Sequence, residues 1–99
     1  MKYKISQLAS KDIKSIWNYT NKKWSRKQAD RYYNMILDEI EFITENPETG
    51  KDYSHVIEGY FRSQITSHFI FYKIDEKEGT VEIIRVLHQR MDIESRLTE

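Results

Sequence analysis

The chain has no cysteine, a single proline and only three glycines among its 99 residues. Without thiols it can form neither a disulfide nor a thiolate metal site. The glycines lie too far apart to make a phosphate-binding loop. None of the histidines, His55, His68 and His88, has metal-ligand spacing with another histidine or with a pair of carboxylates. We therefore expect no metal ion and no cofactor.

Long apolar runs and an excess of one charge are also missing. No apolar stretch approaches the ~20 residues that a membrane-spanning helix needs, and residues 1–5 have no apolar signal-peptide core. A cytoplasmic protein is therefore the default expectation. Sixteen basic residues balance sixteen acidic ones. Because proteins that grip a nucleic-acid backbone usually carry excess positive charge, direct nucleic-acid binding is disfavoured, although a local basic patch is compatible with a total of zero.

The beginning of the chain predicts one strand and one helix. Alternation over 2–8, with lysines on one side, indicates a half-buried strand at a sheet edge. Apolar residues then recur at helical spacing over 9–24. Ser6 or Ser10 can cap this helix, and Asp12 in its first turn would suit the positive end of the helix dipole.

The second helix is the clearest element in the sequence. Ser25 and Gln28 have the spacing of a capping box, and apolar residues follow at helical spacing over 29–43. Pro47 disfavours helical geometry at Asn46 and ends the helix there. Because almost nothing links the two helices, they predict an antiparallel hairpin.

Three strands follow, rich in the β-branched and aromatic residues that fit a pleated surface. They are predicted at 60–66, 69–74 and 80–87, with a turn at 67–68 and a charged loop at 75–79. The connection between the hairpin and the first of these strands is predicted to be irregular.

The predicted order is β-αα-βββ with a short helical tail after Asp92. The helical hairpin should pack Ile36, Leu37 and Ile40 against one face of a four-stranded, mainly antiparallel sheet. The hairpin can also serve as a crossover between the first strand and a parallel neighbour. The fold class is therefore α+β with two layers, in one small domain covering 1–99.

Two arginines on the predicted strands are the most interesting polar residues. By alternation Arg85 lies on an otherwise apolar face, where a guanidinium needs a carboxylate partner or access to water. One interpretation is a structural salt bridge; the other is an anion site in which an arginine is grouped with His88. Regular alternation puts Arg85 and His88 on opposite faces, so that grouping requires a bulge or uses Arg62 instead.

Aromatic residues make up 13% of the chain, and five of them cluster on the hairpin: Trp17, Tyr19, Trp24, Tyr32 and Tyr33. A small domain needs large side chains in its core, so most should be buried. Two helices and one sheet face cannot bury all of them, however. The remainder is expected to line a groove that receives a helix or strand of a partner.

Short fragments of the chain, taken in order, resemble the RelE/ParE toxin–antitoxin superfamily and in particular its ParE-type toxins, also called plasmid stabilisation proteins. The fragments are Tyr3-Lys4-Ile5-Ser6, Asp12-Ile13, Tyr19-Thr20, Trp24-Ser25, Gln28-Ala29, Tyr32-Tyr33, Asn46-Pro47 with Gly50, Gly59-Tyr60-Phe61-Arg62, His68-Phe69-Ile70-Phe71-Tyr72 and, as the most specific, Ile84 to Asp92. Each fragment is weak alone, but the combined order and spacing are specific and cover nearly the whole chain.

The resemblance implies a small bacterial toxin that an antitoxin encoded beside it neutralises. RelE-like members are endoribonucleases that cut mRNA on the ribosome, and some place a catalytic arginine and histidine where Arg62 and His88 fall here. ParE-like members lack that catalytic set and are associated with inhibition of DNA gyrase. Gln89 stands where such ribonucleases carry tyrosine, and no tyrosine follows Tyr72. These departures and the neutral charge favour the ParE branch.

The preferred hypothesis is thus a non-enzymatic gyrase inhibitor held inactive by a ParD-like antitoxin. Its candidate target-binding residues are Arg62, Arg85, His88 and Arg90. Its candidate antitoxin-binding residues are Trp17, Trp24, Tyr32 and Tyr33. The alternative is a ribosome-dependent mRNA endoribonuclease, in which Arg62 would stabilise the phosphorane and His88 would act as acid or base. A third possibility is a degenerate member that only binds its antitoxin.

Overall fold

The computed structural model describes all 99 residues and contains five strands and three α-helices. In chain order these are β1 (Lys2–Ile5), α1 (Gln7–Lys23), α2 (Arg26–Glu45), β2 (Lys51–Asp52), β3 (Tyr60–Ile65), β4 (His68–Asp75), β5 (Thr80–His88) and α3 (Ile93–Leu97). A short 3₁₀ turn, Pro47–Thr49, follows α2. The predicted two-layer α+β fold is confirmed. None of the helices combines the length and the apolarity that crossing a bilayer requires.

The sheet has the strand order β1-β5-β4-β3-β2. β1 runs parallel to β5, so the helical hairpin is the crossover between them, and all the other pairs are antiparallel. The prediction of four strands was wrong, because β2 adds a fifth within the connection that was expected to be irregular. β2 has only two residues, Lys51 and Asp52, which pair with Arg62 and Phe61. Two residues are too short to show any alternation.

The helical hairpin begins earlier than its apolar pattern indicated. Ser6 is the N-cap of α1, since its hydroxyl oxygen accepts the Ala9 amide proton at 3.0 Å. The same hydroxyl donates to the Ile84 carbonyl of β5 at 2.8 Å. β1 consequently ends at Ile5, and Asp12 falls beyond the first turn of the helix. Ser25 caps α2 as predicted, because its hydroxyl oxygen accepts the backbone amide proton of Gln28.

The β3–β4 turn lies one residue earlier than expected. Ile65 pairs with His68, so Thr66 and Ser67 make the turn and His68 already belongs to β4. Thr66 adopts a positive φ of 41°, an uncommon conformation for a threonine. This shift matters for function because it places His68 on the sheet directly beside His88.

A bulge in β5 changes which residues share a face. Phe71 pairs with Arg85 and Tyr72 pairs with Ile83, which leaves Ile84 without an opposite residue. The alternation that predicted Arg85 on an otherwise apolar face of the strand therefore fails at this point. The bulge precedes Arg85, so it leaves the alternation between Arg85 and His88 unchanged, and the two residues remain on opposite faces.

The main core lies between the hairpin and the sheet. Ile36, Ile40 and Ile43 of α2 are fully buried in one cluster with residues of β3, β4 and β5, whereas Leu37 is only half-buried against it. The other face of the sheet carries a smaller cluster of Phe71, Leu87 and Leu97. α3 and the 53–57 loop cover this second cluster, so both faces of the sheet are partly covered.

Candidate functional site

Arg85 forms a buried salt bridge with Asp12. Its Nε and Nη2 atoms donate to the two carboxylate oxygens of Asp12 at 2.8 and 3.0 Å, and its Nη1 donates to the carbonyl of Arg96 at 2.9 Å. Asp12 also accepts the backbone amide proton of Val86 at 3.0 Å. The hydrogen bond to Asp12 is the main reason that the pKa of Arg85 is raised. This group ties α1, β5 and α3 together.

Arg85 is therefore buried and already paired, so its role as a target-binding candidate stays a prediction that this geometry disfavours. Only 6% of its side chain is exposed, and its donors are already directed at Asp12 and Arg96. The salt-bridge interpretation is the one that the structure shows. Arg85, which follows the bulge at Ile84, reaches Asp12 on α1 and does not lie beside His88.

Arg62 and His88 leave the sheet on opposite faces. The guanidinium carbon of Arg62 lies 4.2 Å from the ring centre of Phe69 and 5.8 Å from that of Tyr53, over the smaller cluster. His88 lies on the hairpin side, with its ring 5.1 Å from that of His68. The pair proposed for an endoribonuclease site is thus not assembled, because a sheet separates the two side chains.

A groove opens where the loop end of the hairpin meets the sheet. Five of its lining residues define what we call the tip groove: Tyr19, Trp24, Tyr32, His68 and His88. Its volume is about 780 Å³. Met35 of α2 and Met91, which follows β5, add flexible apolar walls. The groove thus brings together two of the antitoxin candidates and one of the target candidates.

Tyr32 and His68 form the polar floor of the tip groove. The Tyr32 hydroxyl lies 2.6 Å from Nδ1 of His68 and 2.8 Å from the Thr66 hydroxyl, and it donates to the Ile65 carbonyl at 3.2 Å. Burial, and then the neighbouring His88, lower the pKa of His68 to about 4. His68 is therefore neutral near pH 7. His88 accepts the backbone amide proton of Arg90 on its Nδ1 at 3.1 Å.

The tip groove is electropositive although the whole chain is neutral. Asp12 is the only carboxylate that lines it, and Arg85 already neutralises that charge. Arg31 and Arg96 also line the groove. Arg31 forms no ion pair, and Arg96 has only a 3.8 Å contact with the half-exposed Glu99. Neither arginine could be identified as part of a site from the sequence, because the role of a surface charge on a helix depends on neighbours that the sequence does not show.

The four aromatic antitoxin candidates fall on two different surfaces. Trp24, which is 68% exposed, and Tyr32 line the tip groove. Trp17 and Tyr33 instead line a second depression of about 590 Å³, together with Ile5 and Leu37; these four residues define what we call the back groove. No residue lines both grooves. The exposed Tyr19 belongs to the tip groove and is a further anchor candidate.

The remaining candidates are solvent-accessible. Arg90 is exposed in the turn after β5. The guanidinium of Arg62 has no ion-pair partner, and its strand neighbour Lys51 carries the same charge. No group of three or more His, Cys, Asp or Glu side chains is arranged to hold a metal ion.

Comparison with known proteins gives consistent matches. Residues 3–93 match the family described as ParE toxin of the type II toxin–antitoxin system parDE. A Caulobacter vibrioides protein named Toxin ParE1 is 37% identical over 95 residues, with 96% of each chain covered. A Mycobacterium tuberculosis protein of the same name is 33% identical over 96 residues, with 97% of each chain covered.

Two solved structures share the fold. One is described as the chromosomal ParDE TA system from P. aeruginosa; its TM-score is 0.77 at 13% identity, with 89% of this chain and 95% of the other covered. The second is the toxin–antitoxin complex RelBE2 of Mycobacterium tuberculosis, with a TM-score of 0.65 at 22% identity and coverage of 88% and 95%. At these identities the likeness shows the fold alone.

Proposed function

Because the chain belongs to the ParE toxin family and is the toxin of a type II toxin–antitoxin system, we propose that a ParD-like antitoxin neutralises it and that its target is DNA gyrase. The observation that carries the antitoxin part is the tip groove. The observation that supports a non-enzymatic target interaction is the separation of Arg62 from His88. Under this proposal the toxin and its antitoxin act in the cytoplasm, where gyrase works.

The tip groove is the proposed antitoxin site. Trp24 and Tyr19, 68% and 61% exposed, present large apolar surfaces that a monomer would normally cover. Tyr32 and Met91 line the same groove, so an inserted apolar side chain would contact several apolar surfaces. This matches the usual anatomy of an interface, with aromatic anchors at the centre and polar groups at the rim.

The charges around the groove indicate the chemistry of the antitoxin segment. Arg31 and Arg96 lack strong carboxylate partners within the chain, and Asp12 is already neutralised. A segment with carboxylates beside its apolar residues would satisfy both arginines. Such a segment, low in hydrophobicity and high in charge, would be disordered alone and would fold upon binding.

Two side-chain exchanges test the antitoxin site. Trp24→Ala should weaken the antitoxin complex by about 30-fold or more, the loss typical of an interface hot spot. Phe42→Ala is the matched control, because Phe42 is also exposed on the hairpin but lines neither groove. Both affinities are measured by titration calorimetry. Equal affinities for the two variants would move the antitoxin away from the tip groove.

The proposal for the target rests on the positions of the candidate catalytic side chains, which the sheet keeps apart. An endoribonuclease would need acid–base and anion-stabilising groups within reach of one phosphate. Here Arg85 is occupied by Asp12, and Arg62 and His88 lie on opposite faces. Arg62 and Arg90 remain accessible for contacts with a protein target, and His88 for contacts within the groove.

The target is tested by two assays in parallel. Purified toxin should inhibit DNA supercoiling by gyrase and should leave mRNA intact on translating ribosomes. Arg62→Ala and Arg90→Ala are then compared for loss of inhibition, with Arg26→Ala as a surface control at the start of α2. Discrete ribosome-dependent mRNA cuts that depend on His88 would replace the gyrase proposal with the endoribonuclease alternative.

A further inference from the structure

The two histidines of the tip groove lie side by side on neighbouring strands. His68 is the first residue of β4 and His88 is the last residue of β5, and the two are opposite each other in the sheet. Their ring centres are 5.1 Å apart, and the rings are nearly perpendicular. Each ring forms its hydrogen bond through Nδ1, to Tyr32 or to the Arg90 amide, and neither ring bonds to the other. We call His68 and His88 the histidine pair.

The hydrogen bond from Arg90 fixes the tautomer of His88. A neutral imidazole carries one N–H group, and its other ring nitrogen is an acceptor. Nδ1 of His88 accepts the backbone amide proton of Arg90 at 3.1 Å, so this nitrogen carries no proton of its own. The ring proton therefore lies on Nε2, which makes Nε2 of His88 a hydrogen-bond donor.

Tyr32 fixes the opposite tautomer in His68. The Tyr32 hydroxyl has one proton and three polar neighbours, which are the Ile65 carbonyl, the Thr66 hydroxyl and Nδ1 of His68. A carbonyl has no proton to give, so the hydroxyl donates to Ile65 and its oxygen accepts from the other two groups. Nδ1 of His68 thus carries the ring proton. Because His68 is neutral near pH 7, its Nε2 is a hydrogen-bond acceptor.

The backbone of Thr66 is strained at this network. Thr66 has a φ of 41°, a conformation that β-branched residues rarely adopt. Glycine would fit the turn without strain, but it has no hydroxyl to donate to Tyr32. Strained residues of this kind cluster at functional sites, where the surrounding contacts hold them in place. The outlier therefore supports a functional role for the Tyr32–His68 network.

The two Nε2 atoms are the unused hydrogen-bonding groups of the groove floor. Neither has a partner within the chain, whereas every buried side-chain nitrogen and oxygen is paired. Both Nε2 atoms are therefore accessible, and both residues line the tip groove. The floor thus presents one donor, on His88, and one acceptor, on His68, to the group that fills the groove.

We propose that the histidine pair recognises a primary carboxamide, the side chain of an asparagine or glutamine in the bound partner segment. That segment is the antitoxin segment of the proposed function, on which this assignment rests. The amide oxygen accepts from Nε2 of His88, and one amide N–H donates to Nε2 of His68. A primary carboxamide carries its oxygen and one N–H on the same edge. At hydrogen-bond distances of about 2.9 Å, one such group bridges two rings whose centres are 5.1 Å apart.

Other polar groups match the histidine pair less well. A carboxylate only accepts, so it would satisfy His88 and place its charge against the bare Nε2 of His68. An ammonium or guanidinium only donates, and it would enter a groove that already carries Arg31 and Arg96. The C=O and N–H of one trans peptide group point in opposite directions, so the main chain does not offer both on one edge. Carboxylates of the segment therefore suit the two arginines, and a carboxamide suits the floor.

The tautomers are tested on the free toxin near pH 7 by long-range nitrogen–proton correlation spectra, which distinguish a protonated ring nitrogen from a bare one. We expect the proton on Nδ1 of His68 and on Nε2 of His88. Tyr32→Phe keeps the ring and removes the hydroxyl, so it should end the preference of His68 for the Nδ1 proton and leave His88 unchanged. A proton on Nε2 of His68 in the wild type would overturn the proposal, since the floor would then present two donors.

The carboxamide is tested in the complex with the antitoxin encoded beside the toxin gene. Each asparagine or glutamine of that antitoxin is exchanged for aspartate or glutamate, which keeps the shape and removes the N–H donor. One of these exchanges should weaken the complex by about tenfold or more in titration calorimetry, the loss expected when a buried polar group is left without its partner.

Toxin variants then show whether the histidine pair is the group that senses this exchange. His88→Phe should itself weaken the complex, and in His68→Phe the acidic exchange should cost much less than in the wild type, because the acceptor that opposes the carboxylate is absent. His55→Phe is the matched control, since His55 is exposed and lines neither groove. Circular dichroism checks that each variant is folded, and His88→Phe carries the test if His68→Phe does not fold.

The outcomes separate this proposal from the proposed antitoxin site. If Trp24→Ala weakens the complex but no asparagine or glutamine exchange does, the antitoxin site stands and the carboxamide assignment is wrong. The same conclusion follows if His88→Phe binds the antitoxin as tightly as His55→Phe. If neither Trp24→Ala nor the exchanges in the histidine pair change the affinity, the antitoxin binds elsewhere and both proposals fail.

Discussion

Replacement of Asp12 by alanine should be the most damaging single change outside the apolar core. The carboxylate of Asp12 accepts two hydrogen bonds from Arg85 and one from the Val86 amide. The side chains are 14% and 6% exposed, so water cannot readily replace the lost partner. Asp12→Ala would leave a buried guanidinium with the Arg96 carbonyl as its remaining strong partner.

The expected cost follows from this geometry. Removing one partner of a buried ion pair typically destabilises a protein by about 3–5 kcal/mol, because the other charge remains buried and uncompensated. The melting temperature of a domain of this size should then fall by more than about 12 °C. Replacing both residues with apolar ones, as in Asp12→Leu with Arg85→Met, should cost less than Asp12→Ala alone, since no buried charge is left.

The measurement is urea unfolding, monitored by far-ultraviolet circular dichroism, of the wild type, of Asp12→Ala and of the three variants Asp12→Leu, Arg85→Met and the two combined, which with the wild type make the double-mutant cycle. Glu78→Ala serves as the control, because it removes an exposed ion pair with Lys4 at 2.8 Å. Solvent screens that pair, so the unfolding midpoint of this control should not change. A midpoint for Asp12→Ala as close to wild type as that of Glu78→Ala would refute the reasoning about burial.

Three further predictions concern the core and the floor of the tip groove. Ile40→Ala should cost about 2–5 kcal/mol in urea unfolding, and Leu37→Ala should cost less, because Leu37 is only half-buried; equal costs would contradict the packing described. Gly50→Ala should lower the melting temperature, since an added Cβ would lie 2.8 Å from Cζ of Tyr72; an unchanged melting temperature would show that the ring moves freely. The pKa of His68 is lowered from 6.5 to about 4 in the folded protein, so the unfolded chain binds a proton at His68 more readily than the folded protein does. The stability that the neutral His68 contributes is therefore complete above pH 6.5 and is lost as the pH falls towards 4. The urea midpoint should therefore fall less between pH 7 and pH 5 in His68→Gln than in the wild type, and equal falls would exclude His68 as the cause.

Features set by neighbouring residues could be predicted from the sequence. The start of α2 follows from the Ser25 cap, and its buried face follows from apolar residues one turn apart. The order of the elements and the crossover also follow, because the hairpin is long enough to join two parallel strands. The features depend on spacing of a few residues, which the printed sequence displays directly.

Features set by distant residues could not be predicted in the same way. Arg85 and Asp12 are 73 positions apart, and nothing near either residue identifies the other as its partner. The bulge at Ile84 and the two-residue β2 depend on pairing with other strands, so local alternation does not reveal them. The assignment of Asp12 to the helix dipole was wrong because Ser6, and not Ser10, caps α1 and shifts the first turn.

The neutral total charge shows why composition alone is a weak guide to partners. The sum of zero conceals a groove where Arg31 and Arg96 lie beside aromatic rings without a free carboxylate. It also conceals a hairpin whose two helices carry opposite charge in separate rows. Association depends on the charge within roughly 10 Å of the contact at ordinary ionic strength, and not on the sum over the chain. A groove lined by unpaired arginines is therefore compatible with an acidic partner segment even in a chain whose net charge is zero.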